Sequence, residues 1–274
     1  MKKRVQFLIS ILVIILASCQ ATPTLVPLRS ASVKLDDITM YFEEYGKGEP
    51  LILLTGGLRS TSAWVNQIPV FSQQYHVIAL DSRGQGRTTD SEAPISYHLM
   101  AEDTLRLMDY LGIDSAYIVG WSDGGIIGID LAIHHPERIR ALVTYGANTT
   151  PDGLKPSEIK DLQNASVEDI QKSLSDEYRR LSPQPERLPI VIEKMRILWL
   201  TEPNFTAEEL ASIKTPTLIM QGQNDEVIRA DHAESIAKAI PNAKFILLSG
   251  AGHDAMTKKS QEWNKAVLDF LKDK

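Results

Sequence analysis

Residues 116–135 read AYIVGWSDGGIIGIDLAIHH, and their reading decides the fold. Ala116 to Gly120 is a short apolar run of the kind that suits a strand buried on both faces. Gly124 to His135 carries a helical pattern that stops at Pro136, which cannot continue a helix. Between them lies Gly120-Trp121-Ser122-Asp123-Gly124, a G-x-S-x-G sequence at a strand–turn–helix junction. The chemistry explains the glycines. A serine presented on a sharp, strained turn needs small neighbours, and its hydroxyl then projects at a helix N-terminus. Free N–H groups and the helix dipole favour negative charge there. Ser122 is therefore the candidate nucleophile. The bland reading is a glycine-rich helix start that only permits close packing.

The same rhythm continues on either side. Leu51–Leu54, His76–Leu80, Tyr117–Val119, Ala141–Tyr145, Thr217–Met220 and Lys244–Leu248 are near-continuous apolar runs bounded by Gly, Pro or Asp. They predict strands of a mostly parallel sheet, whereas Thr39–Tyr45 alternates and suits a half-exposed antiparallel strand. Helical rows lie between them: Met100, Thr104, Leu107 and Leu111; Asp231–Ile240, stopped by Pro241; and Trp263, Val267, Phe270 and Leu271. Alternating β and α segments predict an α/β fold with helices on both sheet faces. One stretch departs from this. Six prolines and polar helical pieces, Ser157–Gln163 and Val167–Leu181, occur between Pro151 and Pro203. An inserted helical cap over about residues 150–213 is expected, since a loop of that length is uncommon.

A serine hydroxyl needs a base. Of six histidines, His134 and His135 end a helix, His76 opens a strand, His98 starts a helix and His232 lies in a first helical turn. His253 sits in Gly250-Ala251-Gly252-His253, a loop following an expected strand, and α/β sheets place their sites at the carboxyl ends of strands. It is the candidate base. Asp225, just after the run Thr217–Met220, is the candidate orienting carboxylate. Glu226 should point elsewhere, Asp152 is a weaker substitute, and a turn-capping role is the alternative for Asp225. The chain order is nucleophile, acid, histidine. No H-E-x-x-H or similar metal-binding spacing appears, and neither a metal nor an organic cofactor is expected.

From about Val33 to the C-terminus the chain resembles the α/β-hydrolase superfamily. Asp81-Ser82-Arg83-Gly84-Gln85-Gly86-Arg87-Thr88 is similar to that family's D-x-R-G-x-G-x-S loop, with Thr88 for serine. Thr55-Gly56-Gly57-Leu58 resembles its H-G-G-x loop, with Thr55 for histidine. The resemblance implies an α/β-hydrolase fold and assigns the oxyanion hole to the backbone N–H groups of Gly57 and Asp123. More narrowly, Gly120–Ile126 with Tyr145-Gly146-Ala147-Asn148 resembles the valacyclovir hydrolase-like (biphenyl hydrolase-like) branch. A serine hydrolase of carboxylic esters follows as the expectation, with α-amino acid esters as one candidate class. Lactone or carbon–carbon bond hydrolysis on the same residues is an alternative, and so is a non-catalytic, membrane-tethered binding protein. The Asp123 side chain has two readings: capping the helix through nearby N–H groups, or pairing with a substrate ammonium.

The N-terminus reads as an address. Lys2, Lys3 and Arg4 precede an apolar run, Phe7–Ala17, broken only by Ser10. As a helix it would cover about 16 Å, roughly half a hydrocarbon core, so it suits a signal-peptide core better than a membrane span. It closes on Leu16-Ala17-Ser18-Cys19, which resembles the lipobox of bacterial lipoprotein precursors. Residues 1–18 are expected to be a signal peptide, Cys19 the lipidated residue, 19–32 a tether and 33–274 the folded domain. The resulting protein would be held by acyl chains on the extracytoplasmic face of a bacterial membrane. Composition fits: 43% apolar and 23% charged residues exclude wholesale disorder. A net charge of -6 argues against general nucleic-acid binding. A single cysteine excludes an internal disulfide and any multi-cysteine metal site.

Overall fold

A computed structural model describes residues 25–272 and 274 of the chain. The expected signal peptide, Cys19 and the first part of the expected tether lie outside these residues. The strands are β1 (Arg29–Leu35), β2 (Ile38–Tyr45), β3 (Glu49–Leu54), β4 (Tyr75–Leu80), β5 (Ala116–Trp121), β6 (Ile139–Tyr145), β7 (Thr217–Gly222) and β8 (Lys244–Leu248). They form one sheet in the order β1-β2-β4-β3-β5-β6-β7-β8. The pairs β1–β2 and β2–β4 are antiparallel and all the others are parallel. The helices are α1 (Ile68–Phe71), α2 (Tyr97–Leu111), α3 (Asp123–His134), α4 (Pro156–Asn164), α5 (Val167–Leu181), α6 (Leu188–Thr201), α7 (Ala207–Ser212), α8 (Ala230–Ala239), α9 (Ala255–Lys258) and α10 (Ser260–Leu271).

The period of two along each strand sorts side chains between two cores. In β3, Ile52 and Leu54 face a cluster built with Met100, Leu107, Ile126 and Ile236 from α2, α3 and α8. Leu51 and Leu53 face the opposite cluster, with Trp64, Trp263, Val267 and Phe270. Both faces of the central strands are thus covered, which is why they read as continuous apolar runs. β8 differs from that reading. It is the edge of the sheet, and all five of its residues are partly or fully exposed.

The folded part begins earlier than its apolar pattern suggests. β1 starts at Arg29, inside the segment 19–32 expected to be a tether, and pairs in register with β2 from Arg29↔Glu44 to Leu35↔Ile38. It is an edge strand with mostly exposed residues, so it carries little apolar signal. Among the described residues, no helix is long and apolar enough to cross a membrane.

Helices α4 to α7 occupy the single long connection from β6 to β7. Buried Leu188, Val191, Ile192, Met195 and Leu198 of α6 face inward. Arg187 and Lys194 both reach the carboxylate of Asp90, on the loop after β4. The cap is therefore tied to the sheet by both apolar packing and charge.

Candidate active site

Ser122 is the residue between β5 and α3, and it holds φ 53° and ψ -121°. This left-handed region is costly for a residue with a side chain, and the surroundings hold it there. The Ser122 N–H donates to Tyr145 O at 2.8 Å. A Cβ on Gly120 would lie 2.2 Å from Gly124 O, and one on Gly124 would lie 2.0 Å from Leu54 O. The two glycines of the motif are thus required by backbone approaching backbone.

His253 and Asp225 come from the loops after β8 and β7. The His253 Nδ1 lies 2.9 and 3.1 Å from the two carboxylate oxygens of Asp225. Asp225 is buried, and its Oδ1 also accepts the N–H groups of Val227 and Ile228 at 2.8 and 2.9 Å. Burial opposes its charge, but the bond from His253 and these backbone donors outweigh it and hold the carboxyl below the usual range. With Nδ1 engaged, Nε2 is the ring nitrogen left for the cavity that His253 shares with Ser122. Two aromatic groups fix the histidine loop: Trp121 Nε1–H donates to His253 O at 2.8 Å, and Tyr145 O–H donates to Gly252 O. Glu226 accepts the His253 backbone N–H at 3.0 Å, so it meets the loop and not the ring. Asp152 is exposed, and its backbone oxygen accepts from Arg229.

Ser122 and His253 line one cavity of about 250 Å³, together with Gly57, Asp123, Trp121 and Trp199. Asp123 opens α3, so its N–H has no carbonyl one turn earlier to bond. Gly57 lies in the loop after β3, where the next residue, Leu58, has φ 57°. A Cβ on Gly57 would come within 2.5 Å of both Asp123 Oδ2 and Trp199 Cζ2. The Thr55 hydroxyl is buried and has no hydrogen-bond partner. The D-x-R-G-x-G-x-T loop is held from within: Asp81 accepts the N–H groups of Thr61 and Arg87 at 2.6 and 2.8 Å. The Thr88 hydroxyl donates to Asp81 O at 2.6 Å and accepts from Tyr41 N–H at 2.9 Å, so threonine makes both bonds through its hydroxyl.

The family model for the alpha/beta hydrolase fold matches residues 49–201, and one described as TAP-like protein matches residues 198–274. The chain belongs to the α/β-hydrolase family. Similar curated proteins include the "Putative carbamate hydrolase RutD" of Stutzerimonas stutzeri, 27% identical over 85% of this chain and 96% of that one. The serine hydrolase BPHL of Mus musculus is 28% identical over 88% of this chain and 86% of its own length. Among solved structures, Est816, described as an N-acyl homoserine lactone degrading enzyme, superposes with a TM-score of 0.72 at 26% identity, covering 88% of this chain and all of that one.

In this α/β-hydrolase the Asp123 side chain does not cap its helix. Its Oδ1 accepts the Tyr97 hydroxyl at 3.0 Å, and both oxygens accept Trp199 Nε1–H, at 3.1 and 3.0 Å. Burial raises its carboxyl to about 6, with the two donors and the nearby His253 pulling the other way. Tyr97 and Trp199 sit on α2 and on α6 of the cap, and neither carries a local sequence signal for this contact. Glu158 of α4 and Glu202 also line the cavity, and Arg59 is the one arginine or lysine in its lining. Burial, and then the neighbouring Asp161, raises the Glu158 carboxyl above its usual range.

Proposed function

We propose that the protein is a serine hydrolase of carboxylic esters, acting through Ser122, His253 and Asp225. The observation that carries this reading is the His253–Asp225 pair, which turns the free edge of the imidazole toward the cavity lined by a strained Ser122. Ser122 Oγ attacks the ester carbonyl while His253 takes its proton, and Asp225 holds the tautomer and stabilises the imidazolium. The N–H groups of Gly57 and Asp123 receive the oxyanion, one such donor being worth about 3 kcal/mol. His253 then protonates the leaving alkoxide, and water repeats the sequence on the acyl-enzyme.

The acidic lining favours α-amino acid esters as the substrate class. Asp123 places a carboxylate one residue from the nucleophile, and the cavity's carboxylates outnumber its one arginine. A lactone is a cyclic ester open to the same chemistry, and the likeness to Est816 favours it as the second reading. A panel of p-nitrophenyl, aminoacyl and lactone substrates separates these, with a fluorophosphonate probe to label the nucleophile. Ser122→Ala should lose both labelling and turnover while staying folded. Labelling that persists in that variant would refute the assignment. A wild type that is neither labelled nor active would point to a binding protein.

We further propose that Cys19 carries the lipid that anchors the chain outside the cytoplasm. Cys19→Ser should then keep it from the detergent-rich phase after phase partitioning. Equal partitioning of both forms would count against the anchor.

A further inference from the structure

The far end of α3 holds a second group of chemically active side chains. Asp130 and His134 lie one helical turn apart on α3, and His98 reaches them from the first turn of α2. The His98 Nδ1 is 3.0 Å from Asp130 Oδ1, and the His134 Nδ1 is 3.3 Å from the same oxygen. One ligand atom from each of the three residues falls within 4.8 Å of the others. The two rings meet edge to face with centroids 4.9 Å apart. The Asp130 side chain is only 4% exposed, while those of His98 and His134 are 56% and 39% exposed. A buried carboxylate thus sits at the floor of a notch whose two imidazoles are open to solvent.

We propose that His98, Asp130 and His134 bind a divalent transition-metal ion of the Zn²⁺ class, which clamps α2 to α3. Two imidazoles and one carboxylate are a donor set suited to such ions. The spacing also fits. Zn²⁺ bonds of about 2.0–2.1 Å put the ligands of a tetrahedral ion about 3.3–3.4 Å apart. The observed 3.0 and 3.3 Å edges need only small outward shifts. The His134 Nδ1 also lies 3.0 Å from the Asp130 backbone oxygen, so without a metal its proton belongs on Nδ1. Binding through Nδ1 moves that proton to Nε2, and likewise the proton that His98 Nδ1 shares with Asp130 Oδ1 at 3.0 Å, a change of tautomer in each ring with no net proton loss, and exchanges these hydrogen bonds for metal bonds. The group is assembled by packing of α2 on α3, which is why no spacing in the sequence announces it. Asp130 is eight residues beyond Ser122, about 12 Å along the helix, so the site is separate from the catalytic cavity.

The test is a titration of the full chain with ZnCl₂ alone, followed by calorimetry, thermal unfolding and ¹⁵N spectra of the histidine rings. The expected result is one ion per chain with a Tm rise of about 4 °C or more. Two ring Nδ1 signals should shift to the metal-bound form. His98→Ala and His134→Ala should each weaken binding at least about tenfold, and His253→Ala should leave it unchanged. These histidines are solvent-facing, so the variants should fold. No binding at about 1 mM Zn²⁺, or binding that His253→Ala abolishes while His98→Ala and His134→Ala retain it, would overturn the proposal. The cluster would then be a hydrogen-bond hub around Asp130.

Discussion

The indole N–H of Trp199 donates to both carboxylate oxygens of Asp123, at 3.1 and 3.0 Å. Trp199 belongs to the cap, and Asp123 adjoins Ser122, the proposed nucleophile. The cap therefore helps set the charge beside Ser122. The carboxyl titrates at about 6, so its charge changes in a range accessible to assay. For an aminoacyl ester, kcat/KM relative to a matched uncharged ester should rise as pH increases through about 6, as Asp123 ionises. Trp199→Phe removes a donor to the charged form, so it should move this rise to higher pH. Asp123→Asn should abolish it and lower the aminoacyl kcat/KM by about tenfold, or 1.4 kcal/mol. A ratio that is flat from about pH 5 to about pH 8 would contradict ammonium pairing.

The same carboxyl affects stability. Its folded value of about 6 lies above the ordinary 3.8, so the native state holds the proton more tightly than the unfolded chain. Its effect on stability is most favourable below about pH 4 and declines as pH rises to about 6, by an amount on the order of 2–3 kcal/mol. Asp123→Asn has no such proton to lose. In urea unfolding between those pH values, wild type should lose stability relative to the variant. Asp81, whose carboxyl burial also raises to about 6, is common to both proteins and cancels. Parallel curves would show that Asp123 is not the titrating group.

What the sequence disclosed follows from the range of each interaction. Ser122 was legible because strand, turn and helix are contiguous, and Asp225 and His253 because each follows a strand in a known chain order. The contacts that tune Asp123 were not. Tyr97 and Trp199 lie 26 and 76 residues away, and each looks like an ordinary aromatic core residue. β1 carries little sequence signal for another reason. An edge strand needs only backbone pairing, so Arg29-Ser30-Ala31-Ser32 carries no apolar alternation to betray it. The metal-binding proposal likewise concerns residues on two helices brought together only by packing.

Ser122 is held at φ 53°, where an L-residue is strained and glycine is not. Ser122→Gly should therefore remove hydrolysis and raise unfolding stability by about 1 kcal/mol. The gain is limited because glycine also loosens the unfolded chain. Thermal unfolding beside Ser122→Ala, which keeps the Cβ and the strain, isolates the effect. A glycine variant less stable than the alanine variant would mean that this backbone conformation costs little.

Arg83 is almost fully buried and bonds Asp103 through Nε and Nη2, at 2.8 and 3.0 Å, and Asp37 through Nη1 and Nη2, at 3.1 and 3.0 Å. Arg83→Met keeps much of the volume and leaves Asp103 buried beside a lost charge. A stability loss of about 3–5 kcal/mol is expected, measured by chemical denaturation. Adding Asp103→Leu should recover part of it. A single variant within about 0.5 kcal/mol of wild type would make the pair dispensable.

The cap departs after β6 and returns to β7, and these two strands are hydrogen-bonded neighbours, with Leu142↔Thr217 through Tyr145↔Met220 in register. To the sheet, the whole insertion is one connection between adjacent strands. Closing such a connection costs little more as it lengthens, about 0.6 kcal/mol per doubling. Cap length can therefore drift while the strand register that positions Ser122, Asp225 and His253 stays unchanged. Substrate choice then becomes exchangeable: swapping residues 150–213 for those of a relative should transplant it, provided the new cap supplies the Trp199 bond to Asp123, the Arg187 and Lys194 pairs with Asp90 and the α6 side chains that fill the core.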